Sequence, residues 1–471
     1  MTHRVLLAAT AIIAVAATAV AGVRLLDDDA PAPAAAPTPT ETATPDTDSN
    51  GGGIGDLIDD LAGNLLGSEL SPLTLARCLD QPGADADGPL PDDPAEAIAV
   101  IADQVEALRG LDSEVPIAPV LLAPDDLADR IVTLTLEDFT VEDAAEEERL
   151  LTAMRAIEAD LDLRDTILAL LGEQVAGFYD PDTGELVAVS DGDLDPGVQT
   201  ILAHEIDHAL TDRLIGLPDL AGFEGDTDGY LAAQALVEGD ATLLMQQWAT
   251  RHLSLGQQLA MAGTAEAEAA AFAAAPTILQ DQLTFPYLDG LTFVCRAFDA
   301  GDGWAAVDAI YADLPTTSAQ ILWPERYADR EGAVDVPDPT VLDGWEQVRR
   351  DTTGAAELLW LVSAPGNDRS RALDAPRARA AAWAGGEVAV GVRGDDTTVA
   401  MTWVERPGSE HALCDTITSW YEAANPTATV TNHGGHDAFT TTEQTAVVAC
   451  DDGIVRLGIG PDLDVAAALV R

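Results

Sequence analysis

Lysine is absent from this 471-residue chain, so all 23 basic side chains are arginine. That absence removes a Walker-A phosphate site, a pyridoxal Schiff base and any lysine general base. Positive charge is scarce altogether, because 82 acidic side chains leave a formal net charge of −59. The arginines are scattered, and without a local basic patch such a surface repels a phosphate backbone, which excludes nucleic acid as a partner. Cysteine is limited to Cys78, Cys295, Cys414 and Cys450. None has a nearby histidine marking it as a nucleophile, and no Gly-x-Ser-x-Gly elbow is present, so hydrolysis by covalent catalysis has no support. What remains is 47% apolar, with 39 glycines and 27 prolines, near the average for folded chains and enough for two modest domains with real cores.

One long apolar run stands out. After Arg4, residues Val5 to Val23 carry no charge; as a helix these 19 residues reach about 28 Å, nearly a bilayer core. Ala19-Val20-Ala21 also has the small-x-small pattern of a signal-peptidase site. Residues 1–26 are therefore read as a cleaved signal peptide or a retained membrane anchor. No cysteine follows the run, which excludes a lipoprotein anchor. Residues 27–65 follow as a Pro/Thr/Ala/Asp-rich linker with little to bury. The working part of the chain is expected to be secreted or on the cell surface, touching membrane only through the N-terminal segment. There the four cysteines can oxidise. Of three possible pairings, the division of the chain near residue 345 favours Cys414–Cys450, with Cys78–Cys295 joining the N-terminal segment to the core.

Periodicity predicts a helix over 94–108, a strand within 115–122, a helix opening near Pro124, helical sequence over 142–171, and a hairpin over 174–190. Asp195-Pro196 is a helix start, with an acceptor at the N-cap and proline at N1. The helix it opens is expected to run to about Arg213, followed by another over 230–253 and a third over 257–275. Beyond Trp345, strands are predicted at 387–392, 398–404, 447–450 and 455–459, with a helix at 414–423, together a C-terminal α+β domain over 346–471. His433 and His436 are read as belonging to a solvated loop.

Chemistry concentrates in Ala203-His204-Glu205-Ile206-Asp207-His208. HExxH spacing sets His204 and His208 one turn apart on one helix face, where both imidazoles reach one tetrahedral Zn²⁺ and Glu205 projects beside them as general base for a water. With seven histidines in the chain, the chance expectation for this motif is on the order of 0.01. A third ligand is required, and Glu238 on the next helix is the choice, with Gly239 allowing close approach. Asp240, Asp226 and Asp228 compete for that role. Asp240 has a further reading, accepting a hydrogen bond from a ligand histidine. A weak Ca²⁺ reading attaches to Glu224-Gly-Asp226-Thr-Asp228-Gly229, which imitates half of an EF-hand loop but has Ala235 where a bidentate glutamate belongs. Tyr179, Tyr230, His252 and Tyr287 are candidate oxyanion donors.

These motifs resemble the gluzincin metallopeptidases, whose third zinc ligand is the glutamate of a following helix. More narrowly, Glu173 to Pro181 (EQVAGFYDP), the HExxHAL helix, Val237-Glu-Gly-Asp-Ala241 and Pro315 to Tyr327 (PTTSAQILWPERY) look like a family of secreted or membrane-anchored bacterial zinc-peptidase-like proteins. The likeness covers residues 95 to 330, and Trp323 departs from it where relatives often carry histidine. The resemblance implies an α+β protein with a zincin-like metallopeptidase core, helices with a small sheet, over 66–345. It implies Zn²⁺ on His204, His208 and Glu238, Glu205 as catalytic base, and a protein or peptide substrate. The competing expectation is a zinc-binding, non-catalytic cell-envelope protein.

Overall fold

A computed structural model describes residues 72–79, 90–91, 93–171, 177–189, 194–258, 260–261 and 272–471. The expected leader over 1–26, the linker over 27–65, residues 174–176 of the expected hairpin and the middle of the expected 257–275 helix lie outside the described residues.

The protein is a mixed α+β structure. Its first part is mostly helical: α1 (Pro72–Leu79), α2 (Pro94–Arg109), β1 (Val120–Leu122), α3 (Pro124–Asp138), α4 (Val141–Ala153), α5 (Leu163–Leu171), β2 (Gly177–Asp180) and β3 (Glu185–Val189). Helices α6 (Pro196–Leu214), α7 (Thr227–His252), α8 (Thr277–Ala300), α9 (Trp304–Tyr311), α10 (Ser318–Leu322) and α11 (Pro324–Ala328) complete it. The strands form a small sheet in the order β1-β3-β2, parallel between β1 and β3 and antiparallel in the β2–β3 hairpin, which leaves β2 at an edge.

From Glu346 the chain builds a second sheet. It comprises β4 (Glu346–Thr352), β5 (Trp383–Arg393), β6 (Asp396–Glu405), β7 (Thr429–His433), β8 (His436–Thr440), β9 (Thr445–Asp451) and β10 (Ile454–Gly460). Their order is β4-β5-β6-β10-β9-β8-β7, antiparallel throughout. Helices α12 (Ala355–Ser363), α13 (Pro376–Ala380), α14 (Leu413–Ala424) and α15 (Leu463–Leu469) accompany it. Alternation assigns the two faces, since Ala446 and Val448 join the main core while Val447 and Ala449 pack with Ala466 and Val470, the period of two that a strand imposes. The expected strands at 387–392, 398–404, 447–450 and 455–459 and the helix at 414–423 all lie within these elements. One reading needs correction: His433 and His436 end paired strands, joined by Gly434 and Gly435 at φ of 64° and 101°. Two successive positive φ values make a tight hairpin, which only glycine enters without strain.

The two parts share one apolar core, in which Ala233 and Phe285 of the helical part cluster with Trp360 and Trp403 of the sheet part. Polar contacts reinforce the junction. Asp351 of β4 accepts from the backbone N–H (2.8 Å) and hydroxyl (2.7 Å) of Thr227 at the start of α7. Arg326 donates to the carbonyls of Ala381 and Trp383 at 2.7 and 3.1 Å. Both expected disulfides are present, Cys78–Cys295 joining α1 to α8 and Cys414–Cys450 joining α14 to β9. Two bridges suit an oxidising, extracytoplasmic environment. Among the described residues no helix is long and apolar enough to cross a membrane.

Candidate metal centre

Local chemistry fixes where the two central helices begin. Asp195 accepts from the N–H groups of Gly197 and Val198, and Pro196 occupies N1, so α6 starts where the sequence predicts. Asp226 caps α7 by accepting from Gly229. Helix α7 in turn lies against α8 at a crossing made of glycine. A Cβ on Gly239 would stand 2.3 Å from the carbonyl carbon of Gly290, and one on Gly290 would stand 2.2 Å from the carbonyl oxygen of Ala235. The glycine beside Glu238 therefore admits a neighbouring backbone; the close approach it serves is to α8.

With the helices so placed, His204 and His208 from α6 meet Glu238 from α7. The Nε2 atoms of the two histidines are 3.0 Å apart, and they lie 3.1 and 3.5 Å from Glu238 Oε2. Ligands about 2.0–2.2 Å from a tetrahedral zinc sit roughly 3.3 Å from one another, so the three atoms have the spacing a single ion needs. They form the one group of potential metal ligands found among the described residues. All three side chains are buried, with exposures of 1%, 3% and 0%. Glu238 Oε1 and Glu205 Oε1, both buried, have no hydrogen-bond partner among the described residues. Two neutral imidazoles and a carboxylate are a donor set suited to zinc, and the orphaned oxygens fit a centre that takes a cation and a water.

Without an ion, the same groups satisfy one another's charges, and a metal would have to displace the His208 proton. Burial opposes charge on His208, yet the carboxylates of Glu238, Glu205 and Asp207 outweigh it and raise the imidazole to about 9. Glu238 is held down to about 2, because His208 and His204 together overcome its burial. Burial keeps His204 below the usual histidine range. Glu205 is pushed up to about 8 by burial and the Glu238 charge, against the pull of His208 and a 2.8 Å hydrogen bond to its Oε2 from the Tyr179 backbone N–H. A cation on the three neighbouring donor atoms would pull this carboxyl back towards the ionised form that a proton acceptor needs.

Other candidates fall elsewhere. Asp240 touches no ligand histidine; its Oδ2 accepts from Tyr311 at 2.8 Å and from Arg109 at 3.1 Å. Asp228 is buried under Ser318, accepting from its N–H at 2.8 Å and from its hydroxyl, while Asp226 Oδ1 accepts from Thr352. These two carboxylates of the imitated calcium loop thus secure the start of α7. Tyr179 donates its hydroxyl to Asp212, and His252 stacks on Trp248 at the far end of α7. Tyr230 lines a cavity of about 460 Å³ between α4, α7 and the large sheet. Tyr287 packs beside the cluster, with its ring 6.2 Å from that of His204. Trp323 stacks on Arg326 at 4.4 Å and so belongs to the junction.

Sequence reasoning missed Arg109. Its guanidinium is buried at the end of α2 and pairs with Asp207, Asp240 and Asp308. A usable signal existed in Asp207, a charged residue inside a motif whose helix must be buried, which requires a cation from elsewhere. Compared with known proteins, the chain matches no protein family, no curated protein and no solved structure.

Proposed function

We propose that this chain is an extracytoplasmic zinc-dependent peptidase with a zincin-like core. The observation that carries this reading is the convergence of His204, His208 and Glu238 within metal-ligand spacing, beside an unpartnered Glu205 oxygen. When bound, zinc supplies Lewis acidity to a peptide carbonyl and to the attacking water. Glu205 Oε1 takes the proton from that water and returns it to the leaving amine, while the Tyr179 N–H holds Oε2 and aims the carboxylate. His204, His208 and Glu238 hold the ion and keep its charge close to the reacting bond.

Burial of the donor set to between 0% and 3% favours a second reading, a zinc-binding protein without catalysis. One substitution separates them. Glu205→Gln keeps the shape and all three ligands but removes the proton acceptor. At matched zinc occupancy, the peptidase reading expects peptide hydrolysis to fall about 100- to 10,000-fold. Equal cleavage by both proteins contradicts the role of Glu205, and no cleavage of a broad peptide library by the wild type selects the binding reading.

A further inference from the structure

We infer that Arg109 is a positioning residue for the metal centre, a buried guanidinium that sets the spacing of α6 and α7 and thereby brings Glu238 to His204 and His208. The inference rests on the zinc reading above. Arg109 Nε lies 3.3 Å from Asp207, which directly precedes His208, and Nη2 lies 3.1 Å from Asp240, two residues beyond Glu238. One planar group therefore grips both ligand-bearing helices within a turn of their ligands. The third edge is closed by α9. Asp308 approaches Nη1 at 2.7 Å, the Trp304 ring lies 4.4 Å from the guanidinium carbon, and the Tyr311 hydroxyl donates to Asp240 at 2.8 Å. Trp304, Asp308 and Tyr311 are spaced i, i+4, i+7, so a single stripe of α9 clasps the cluster.

Burying an arginine with three carboxylates is an expensive way to fill space, since apolar residues of equal volume usually stabilise as well or better. Charge pairing across the helices is what the cluster adds. The guanidinium hydrogen-bonds Asp240 of α7 and holds Asp207 of α6 as an ion pair, so sliding α6 against α7 separates opposite charges that apolar packing would let slip. The metal ligands need that restraint, because their mutual distances of 3.0 to 3.5 Å leave only a few tenths of an ångström before one falls out of reach of a shared ion.

The test compares full-length wild type with Arg109→Lys, Tyr311→Phe and Asp308→Asn, with Leu457→Ala in the large sheet as a control of general stability. Three quantities are read: zinc affinity by chelator competition, the visible spectrum of the cobalt-loaded site, and thermal melting of the metal-free protein. Arg109→Lys is expected to bind zinc about tenfold more weakly, and Tyr311→Phe and Asp308→Asn a few-fold more weakly, each with an altered cobalt spectrum. Leu457→Ala is expected to melt earlier yet bind zinc like the wild type. If Arg109→Lys does not fold, the two milder variants decide. Wild-type affinity and an unchanged cobalt spectrum in variants that merely melt early would overturn the inference. A wild-type chain that takes up no zinc would instead overturn the reading on which it rests.

Discussion

Helices α6 and α7 and the seven-stranded sheet are both buried structures, but they use burial differently. In the sheet the inward residues are apolar and alternate with period two. In α6 and α7 every residue from Thr200 to Thr211 and from Asp228 to Ala249 is buried, and these stretches include His204, Glu205, Asp207, His208, Asp228, Glu238 and Asp240. A helix surrounded on all sides has no need of charge for packing. So many ionisable groups in its interior must be paired or coordinate an ion. The difference separates a region of apolar packing from one whose buried charges include a group that could hold a metal ion.

The disulfides offer the largest lever on that comparison, one bridge falling among the helices that surround α6 and α7 and the other in the sheet part. Cys78–Cys295 closes a separation of 217 residues and Cys414–Cys450 one of 36. Chain entropy assigns them about 5.4 and about 3.8 kcal/mol, a difference of about 1.6 kcal/mol. Denaturant titrations of the two Cys→Ala double variants should show the greater loss for the helical part. An equal or reversed order would mean that the reduced chain keeps residual structure around α1 and α8.

Next comes the glycine crossing. Gly239→Ala places a methyl group against the backbone of Gly290, which no rotamer relieves, and should cost about 3 kcal/mol. Unfolding midpoints measure it. A cost below about 1 kcal/mol would show that α7 and α8 separate easily and that their crossing does not hold Glu238 in place.

The smallest expected effect concerns Glu357, at the start of α12. Burial, together with the charges of Asp351, Asp228 and Glu147, pushes its carboxyl up to about 8, against a hydrogen bond from the Gly354 N–H. A carboxyl raised in the folded state favours folding while protonated, so its contribution is lost as pH rises from the ordinary glutamate range, about 4.5, through about 8. Allowing for its partial exposure, the loss is on the order of 1–2 kcal/mol. Glu357→Gln should flatten the fall in stability over that window, and parallel pH profiles for the two proteins would contradict it.

How much of this was readable beforehand follows the same division. The sheet strands were legible because large and small apolar side chains alternate along them, as in Val388-Ala-Val-Gly-Val392. Helix α6 was legible from its cap, Asp195-Pro196, and from HExxH, while burial on all sides erased the amphipathic stripe that usually marks a helix. The proximity of His204 and His208 could be read from sequence because one turn of helix dictates their spacing, whereas the approach of Glu238 depends on how the next helix packs. The Arg109 cluster could not, since Asp207, Asp240 and Asp308 meet it across separations that no local period encodes. For the same reason the shared core joining Phe285 to Trp360 was invisible.

The central claim is tested most directly by measuring zinc in protein purified without chelators, for the wild type, Glu238→Ala and Asp240→Ala. The account predicts one zinc per wild-type chain, loss of most of it in Glu238→Ala, and a smaller loss in Asp240→Ala, whose carboxylate faces Arg109 and Tyr311. A metal-free wild type, or a Glu238→Ala protein that keeps its zinc while Asp240→Ala loses it, would contradict the account.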